Sequence, residues 1–227
     1  MLYNALILAI IFSFIASIRV NSVFNRYNEK SVHCGKNAND VVREIFRVNG
    51  ISDVPIIQVP GNLTDNYNPS SKTLSLSVTT YGIPSIGAIG VAAHEAGHAV
   101  QHSENYGFLN LRSAMVPVVN IGSKFGILIA VLGAFFAGPG SALARFGILL
   151  YSLVFFFTLI TLPVEFNASR RAISAISDMN CFTDEEIRGM RKVLSAAAMT
   201  YVAAMFSALI NLLRIISIFG GNNNRRR

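Results

Sequence analysis

Charge is scarce in this chain of 227 residues: 14% of it is Asp, Glu, Lys or Arg, against 52% hydrophobic residues. Its mean hydropathy is positive, at +0.48. Soluble domains carry about a quarter charged residues, so the shortage excludes an ordinary cytosolic protein and predicts extensive contact with lipid. Cysteine is scarcer still. Cys34 and Cys181 are the only two, too few for a disulfide framework and without the paired spacing of a cysteine metal site, so free thiols on a reducing face are expected. Acidic residues are the minority sign, 12 against 19 basic, for a net charge of +7. The basic residues flank apolar runs and form no patch interleaved with aromatics, which argues against nucleic acid as a partner. Internal repeats are absent.

Long apolar runs are present instead. Residues 2–18 carry no charge and are just long enough to cross a bilayer. Without a basic leader or a small-residue cleavage site, they read as an uncleaved anchor. Runs at 116–137 and 143–162, joined by "GPGS", predict a transmembrane hairpin, and a last run follows at about 197–219. The organisation expected is therefore an anchor (1–18), a water-facing region (19–115), a hairpin (116–162), juxtamembrane helices (163–195), a C-terminal membrane helix (196–219) and a basic tail (220–227). Pro163 is expected to open a new helix, and Thr183 with Glu186 to form a capping box at the next.

Lys and Arg number eight in residues 19–115, one in 138–145 and five in 164–195, so the two basic segments are expected to share the cytoplasmic face of a multi-pass plasma-membrane protein, prokaryotic in type. Arg225, Arg226 and Arg227 at the end run against that rule for four crossings. In the water-facing region "NDVVREIFRVNG" predicts an amphipathic helix capped by Asn39 or Asp40, and "VPIIQV" and "KTLSLSV" predict strands. The second alternates Leu74 and Leu76 with Ser75 and Ser77 and suits a sheet edge, whereas "NYNPSS" reads as a turn.

Three of the four histidines fall inside "HEAGHAVQH". On a helix His94 and His98 stand one turn apart on one face, and both imidazoles can reach a single ion. Glu95 beside them can reach a water bound to that ion, which makes the stretch an HExxH zinc-peptidase pattern with two ligands and a carboxylate base. His102 is the nearest third ligand in sequence. On a straight helix it lies about 12 Å along the axis from His94, too far for a common ion, so a helix-end or supporting role is expected. The better third ligand is Glu165. Its helix carries a strip of small residues, Ala168, Ser169 and Ala172, and the histidine helix is lined with Ala92, Ala93, Ala96, Gly97 and Ala99, so the two can approach closely.

"AAHEAGHAVQ" and "LPVEFNASRRA" together resemble the YugP-type membrane zinc metallopeptidases, also called neutral zinc metallopeptidases, and the likeness extends over nearly the whole chain, including "LTDNYNPSSKTLSLS". The resemblance implies a metal set of His94, His98 and Glu165. More distantly the chain is similar to the HtpX-type gluzincin peptidases, where a comparable glutamate is followed by an Ala-Asp pair. Ser169 after Ala168 stands at that position here, which leaves Asn167 and Asp178 as candidates for the aspartate's supporting role. The same analogy makes Leu74, Ser75, Leu76 and Ser77 the edge strand against which a peptide substrate is laid.

The expected fold is thus a mainly α membrane protein with transmembrane helices plus a small α+β gluzincin-like catalytic region containing a short sheet. The expected function is a metalloendopeptidase with one Zn2+ per chain and Glu95 as general base, acting on peptide or protein substrates, membrane proteins among them. A non-catalytic metal-binding adaptor or transport component is the alternative. Arg170 and Arg171 are expected to face solvent or phospholipid rather than an oxyanion. The polar "QHSENYG" after the motif places the site at the water interface rather than inside the bilayer.

Overall fold

The computed structural model describes residues 2–221; the tail arginines at 225–227 lie outside them. Among the described residues six helices and three short strands follow in the order α1 (Leu2–Asn28), α2 (Ala38–Val48), β1 (Ile56–Val59), β2 (Asn66–Asn68), β3 (Thr73–Ser77), α3 (Ile86–Ser103), α4 (Gly107–Ala137), α5 (Ala142–Asp178) and α6 (Asp184–Phe219). Four of the helices, α1, α4, α5 and α6, are long and apolar enough to cross a membrane. The chain is a mainly α multi-pass membrane protein with a small sheet.

Two compact units divide it. Among the described residues, one takes 2–15, Asn110–Leu162 and 201–221. Its α4–α5 hairpin packs through small residues: a Cβ at Gly126 would sit 2.9 Å from the Tyr151 nitrogen, and one at Gly133 2.8 Å from the Leu143 carbonyl carbon. Such close backbone approach is how apolar helices associate where water supplies no driving force. The connecting turn uses Gly138 at φ +84° and Gly140 at φ +79°, the left-handed region that glycine enters without steric cost.

The second unit, Ala16–Leu109 with Pro163–Thr200, holds the histidines and the sheet. Its core joins Val41, Val42, Ile45 and Phe46 of α2 to Leu74 and Leu76 of β3, Ile89, Ala92, Ala93, Ala96 and Val100 of α3, and Ala172 and Ile176 of α5. Asn37 caps α2, its side-chain oxygen accepting from the Asp40 N–H while Asp40 accepts from the Asn37 N–H, both at 3.1 Å. The cap thus falls two or three residues earlier than Asn39 or Asp40, because Asp40 serves as the reciprocal partner in the first turn. The expected box at α6 is present: Thr183 Oγ1 accepts from the Glu186 N–H at 3.2 Å and Glu186 Oε2 from the Thr183 N–H at 2.7 Å. The other oxygen of Glu186 accepts the His33 N–H at 2.7 Å, fastening the loop after α1 to the start of α6.

Three further expectations are corrected. Pro163 opens no helix; it lies inside α5, which runs unbroken from Ala142 to Asp178. A proline removes one backbone donor, the one that would meet Leu159 O, and leaves the rest of the helix ladder in place. Nor is β3 a sheet edge. The strand order is β1-β3-β2, with β1 parallel and β2 antiparallel to β3. Leu74, Ser75, Leu76 and Ser77 are buried and all four pair with β1, while on the other side β2 covers Thr73, Leu74 and Ser75 and Asp65 Oδ1 accepts the Ser77 N–H at 2.8 Å. "NYN", read as a turn, is the strand that occupies that position.

Candidate metal centre

Ser85 caps α3, its hydroxyl oxygen accepting from the Ala88 N–H at 3.1 Å. The helix that follows presents His94 and His98 on one face, ring centroids 4.8 Å apart and planes at 82°. Opposite them stands α5, admitted by the small residues on both helices: a Cβ at Gly97 would lie 2.7 Å from Ala168 O. Ala168 and Ala172 are buried in that contact. It brings the Glu165 carboxylate, 2% exposed, to the histidines. Glu165 Oε2 lies 3.2 Å from His94 Nε2 and 3.6 Å from His98 Nε2. One ligand atom from each of the three residues falls within 4.8 Å of the others. Two imidazole nitrogens and one carboxylate oxygen at that spacing fit a divalent ion of the zinc type, with a fourth position left for a reactant.

The outer nitrogens are held as well. His98 Nδ1 lies 2.9 Å from Gln101 Oε1, in a fully buried contact. The Gln101 amide nitrogen donates to Val164 O and to Asn167 Oδ1, each at 2.9 Å. Since a main-chain carbonyl can only accept, the orientation of the Gln101 amide is forced, its oxygen must accept, and His98 Nδ1 carries the proton. Nε2 is thereby the nitrogen with the free lone pair, and it is the one facing Glu165. Ser169 Oγ lies 3.1 Å from His94 Nδ1 and can play the same part there. Burial works against a charged His98, but hydrogen bonding and charge from Glu165, the Glu95 charge and the Gln101 bond outweigh it and raise its pKa above the ordinary value.

Glu95 is not one of the three clustered groups. Its Oε2 accepts the Tyr67 backbone N–H at 2.9 Å, and the Tyr67 hydroxyl meets His102 Nδ1 at 2.7 Å. His102 lies outside the cluster of three and holds β2 against α3 through Tyr67. Asn167 joins the network from α5, since Arg171 Nε also donates to its Oδ1 at 2.8 Å and Arg171 Nη2 to Glu104 at 2.6 Å. Arg171 is thus committed to an ion pair, and Asp178 lines a cavity with Glu44, Gly97, Arg171 and Met179. Gln101 is the residue that sequence reasoning missed. Its signal was position: one turn after His98, on the same buried face.

A family model described as "Putative neutral zinc metallopeptidase" matches residues 2–220. The chain belongs to that family of zinc metallopeptidases. It is 45% identical over 207 residues to "Putative membrane protease YugP" of Bacillus subtilis (strain 168), covering 91% of each chain. No solved structure matches it.

Proposed function

We propose that this member of the neutral zinc metallopeptidase family is an integral membrane metalloendopeptidase of the gluzincin type, holding one zinc per chain with His94, His98 and Glu165 and facing the cytoplasm with its catalytic unit. The observation that carries the reading is the approach of one Glu165 oxygen to within 3.2 and 3.6 Å of the two Nε2 atoms. Zinc bound there would bring the pKa of water toward about 7 and polarise the scissile carbonyl. Glu95 supplies the proton traffic, taking a proton from the attacking water on its carboxylate and returning it to the leaving amine nitrogen. Gln101 and Ser169 keep the imidazoles turned.

The substrate-aligning edge is β2 rather than β3. In the antiparallel pair Tyr67 stands opposite Leu74, yet its N–H is turned away from β3 toward Glu95. An extended peptide added along this outer edge by backbone pairing therefore passes beside the general base. Backbone pairing selects for extended, unfolded segments, which suits loops of membrane proteins and damaged chains as substrates.

Glu95→Gln separates this reading from that of a metal-binding adaptor. The variant is expected to keep its zinc and to lose casein cleavage by about 10²-fold or more. Cleavage at the wild-type rate by the variant would refute the peptidase.

A further inference from the structure

Away from the metal centre, α1 and α6 face each other across a cleft of about 600 Å³ with an unusual lining. From α1 come Arg19, Val23, Arg26 and Tyr27, and from α6 come Arg188, Arg191, Lys192, Ser195, Ala196 and Met199. Spacings of i, i+4, i+7, i+8 on the first and i, i+3, i+4, i+7, i+8, i+11 on the second put each set on one helix face. The helices come together at one end because α6 has Gly189 there: a Cβ would sit 2.8 Å from Tyr27 Cε1.

Five cations therefore line this cleft and no carboxylate does. Several cations elsewhere in the same unit find partners: Arg43 pairs with Asp40, Arg47 with Glu44, Lys72 with Asp53 and Arg171 with Glu104. Among the described residues no ion pair involves Arg19, Arg26, Arg188, Arg191 or Lys192, although Glu29, Asp184 and Glu185 are close in sequence. Like charges one helical turn apart, such as Arg188 and Lys192, repel, so the arrangement calls for an anion from outside the chain.

Its position on the two helices says which anion. The charges of α1 follow its apolar run and those of α6 precede its own, so both sets stand where a membrane helix leaves the hydrocarbon. Val23, Ala196 and Met199 add apolar surface beside the charges. A cationic pocket with an apolar flank at that level complements a phospholipid, phosphodiester against the guanidinium groups and glycerol and first methylenes against the apolar side chains. We propose that this cleft is a binding site for the phosphodiester headgroup of an anionic membrane phospholipid.

The test is retention of phosphatidylglycerol by the detergent-purified full chain, counted by native mass spectrometry against phosphatidylcholine and against inorganic phosphate as competitor. The wild type is expected to prefer phosphatidylglycerol at least about tenfold, and Arg19→Gln/Arg191→Gln/Lys192→Gln to lose that preference. Arg43→Gln/Arg47→Gln/Lys72→Gln, which removes the same charge elsewhere, is expected to keep it. A photoactivatable phosphatidylglycerol added to the wild type should label residues 19–27 and 188–199, a readout independent of any variant's folding. Equal retention of phosphatidylcholine, equal loss in the control triple, labelling elsewhere, or displacement of the lipid by phosphate at similar concentration would each overturn the proposal, the last by pointing to a free anion.

Discussion

The backbone N–H of Tyr67 donates to Glu95 at 2.9 Å while its hydroxyl meets His102 Nδ1 at 2.7 Å, so one residue of the outer strand grips the motif helix at two points two turns apart. If β2 aligns the substrate, loosening this grip should weaken binding before chemistry. Tyr67→Phe removes only the hydroxyl bond to His102. One hydrogen bond is worth about 1 kcal/mol, so KM is expected to rise about fivefold with kcat nearly unchanged, measured on a quenched peptide.

Gln101 is 0% exposed and is the contact that fixes the His98 tautomer. Gln101→Leu keeps much of its volume but strands the Nδ1 proton and frees the ring to turn. Zinc affinity should fall about 10- to 100-fold, read by competition with a chromophoric chelator. Gln101→Glu retains an acceptor and should lose less.

Gly97 sets the distance between α3 and α5, since an added Cβ would press on Ala168 O at 2.7 Å. Backbone cannot yield there as the end of a flexible side chain could. Gly97→Ala is expected to cost about 1–3 kcal/mol of stability and to weaken zinc binding by drawing Glu165 away from the imidazoles, whereas Gly107→Ala, where a Cβ meets nothing within 4 Å, should not affect the metal.

The raised pKa of His98 fixes a pH window. Zinc must displace the Nε2 proton, so affinity should begin to drop as pH is lowered through a value above the ordinary 6.5, rather than below it. For the metal-free protein the sign is opposite. A group with a raised folded pKa adds stability that is complete below its unfolded pKa and disappears as pH rises through the folded one. Melting curves with and without chelator between about pH 5 and 8 should therefore diverge as pH rises, the metal-free form losing stability relative to the loaded one.

The convergence of His94, His98 and Glu165 could be read from letters because each part of it has a local pattern: two histidines one turn apart, and two small-residue strips that permit close packing. Helix spacing likewise excluded His102 as a third ligand. What could not be read depends on pairing between distant segments. "NYN" has the composition of a turn and becomes a strand only because β3 and α3 both hold it. Gln101 looks like a spacer until α5 supplies Val164 O and Asn167. Pro163 carries a helix-start signal that the continuous apolar helix overrides. Cys34 and Cys181, free thiols as expected, are remote in sequence yet adjacent in space; burial and the Cys34 thiol push Cys181 up to about 11.

The convergence of Glu165 on His94 and His98 is the centre of the account, and X-ray absorption at the zinc edge addresses it directly. In the wild type it should give one zinc per chain with two imidazole nitrogens and a carboxylate oxygen at about 2.0–2.2 Å. In Glu165→Ala the oxygen shell should be depleted of its protein carboxylate and the zinc content should fall. An unchanged spectrum and full zinc occupancy in that variant would contradict the assignment.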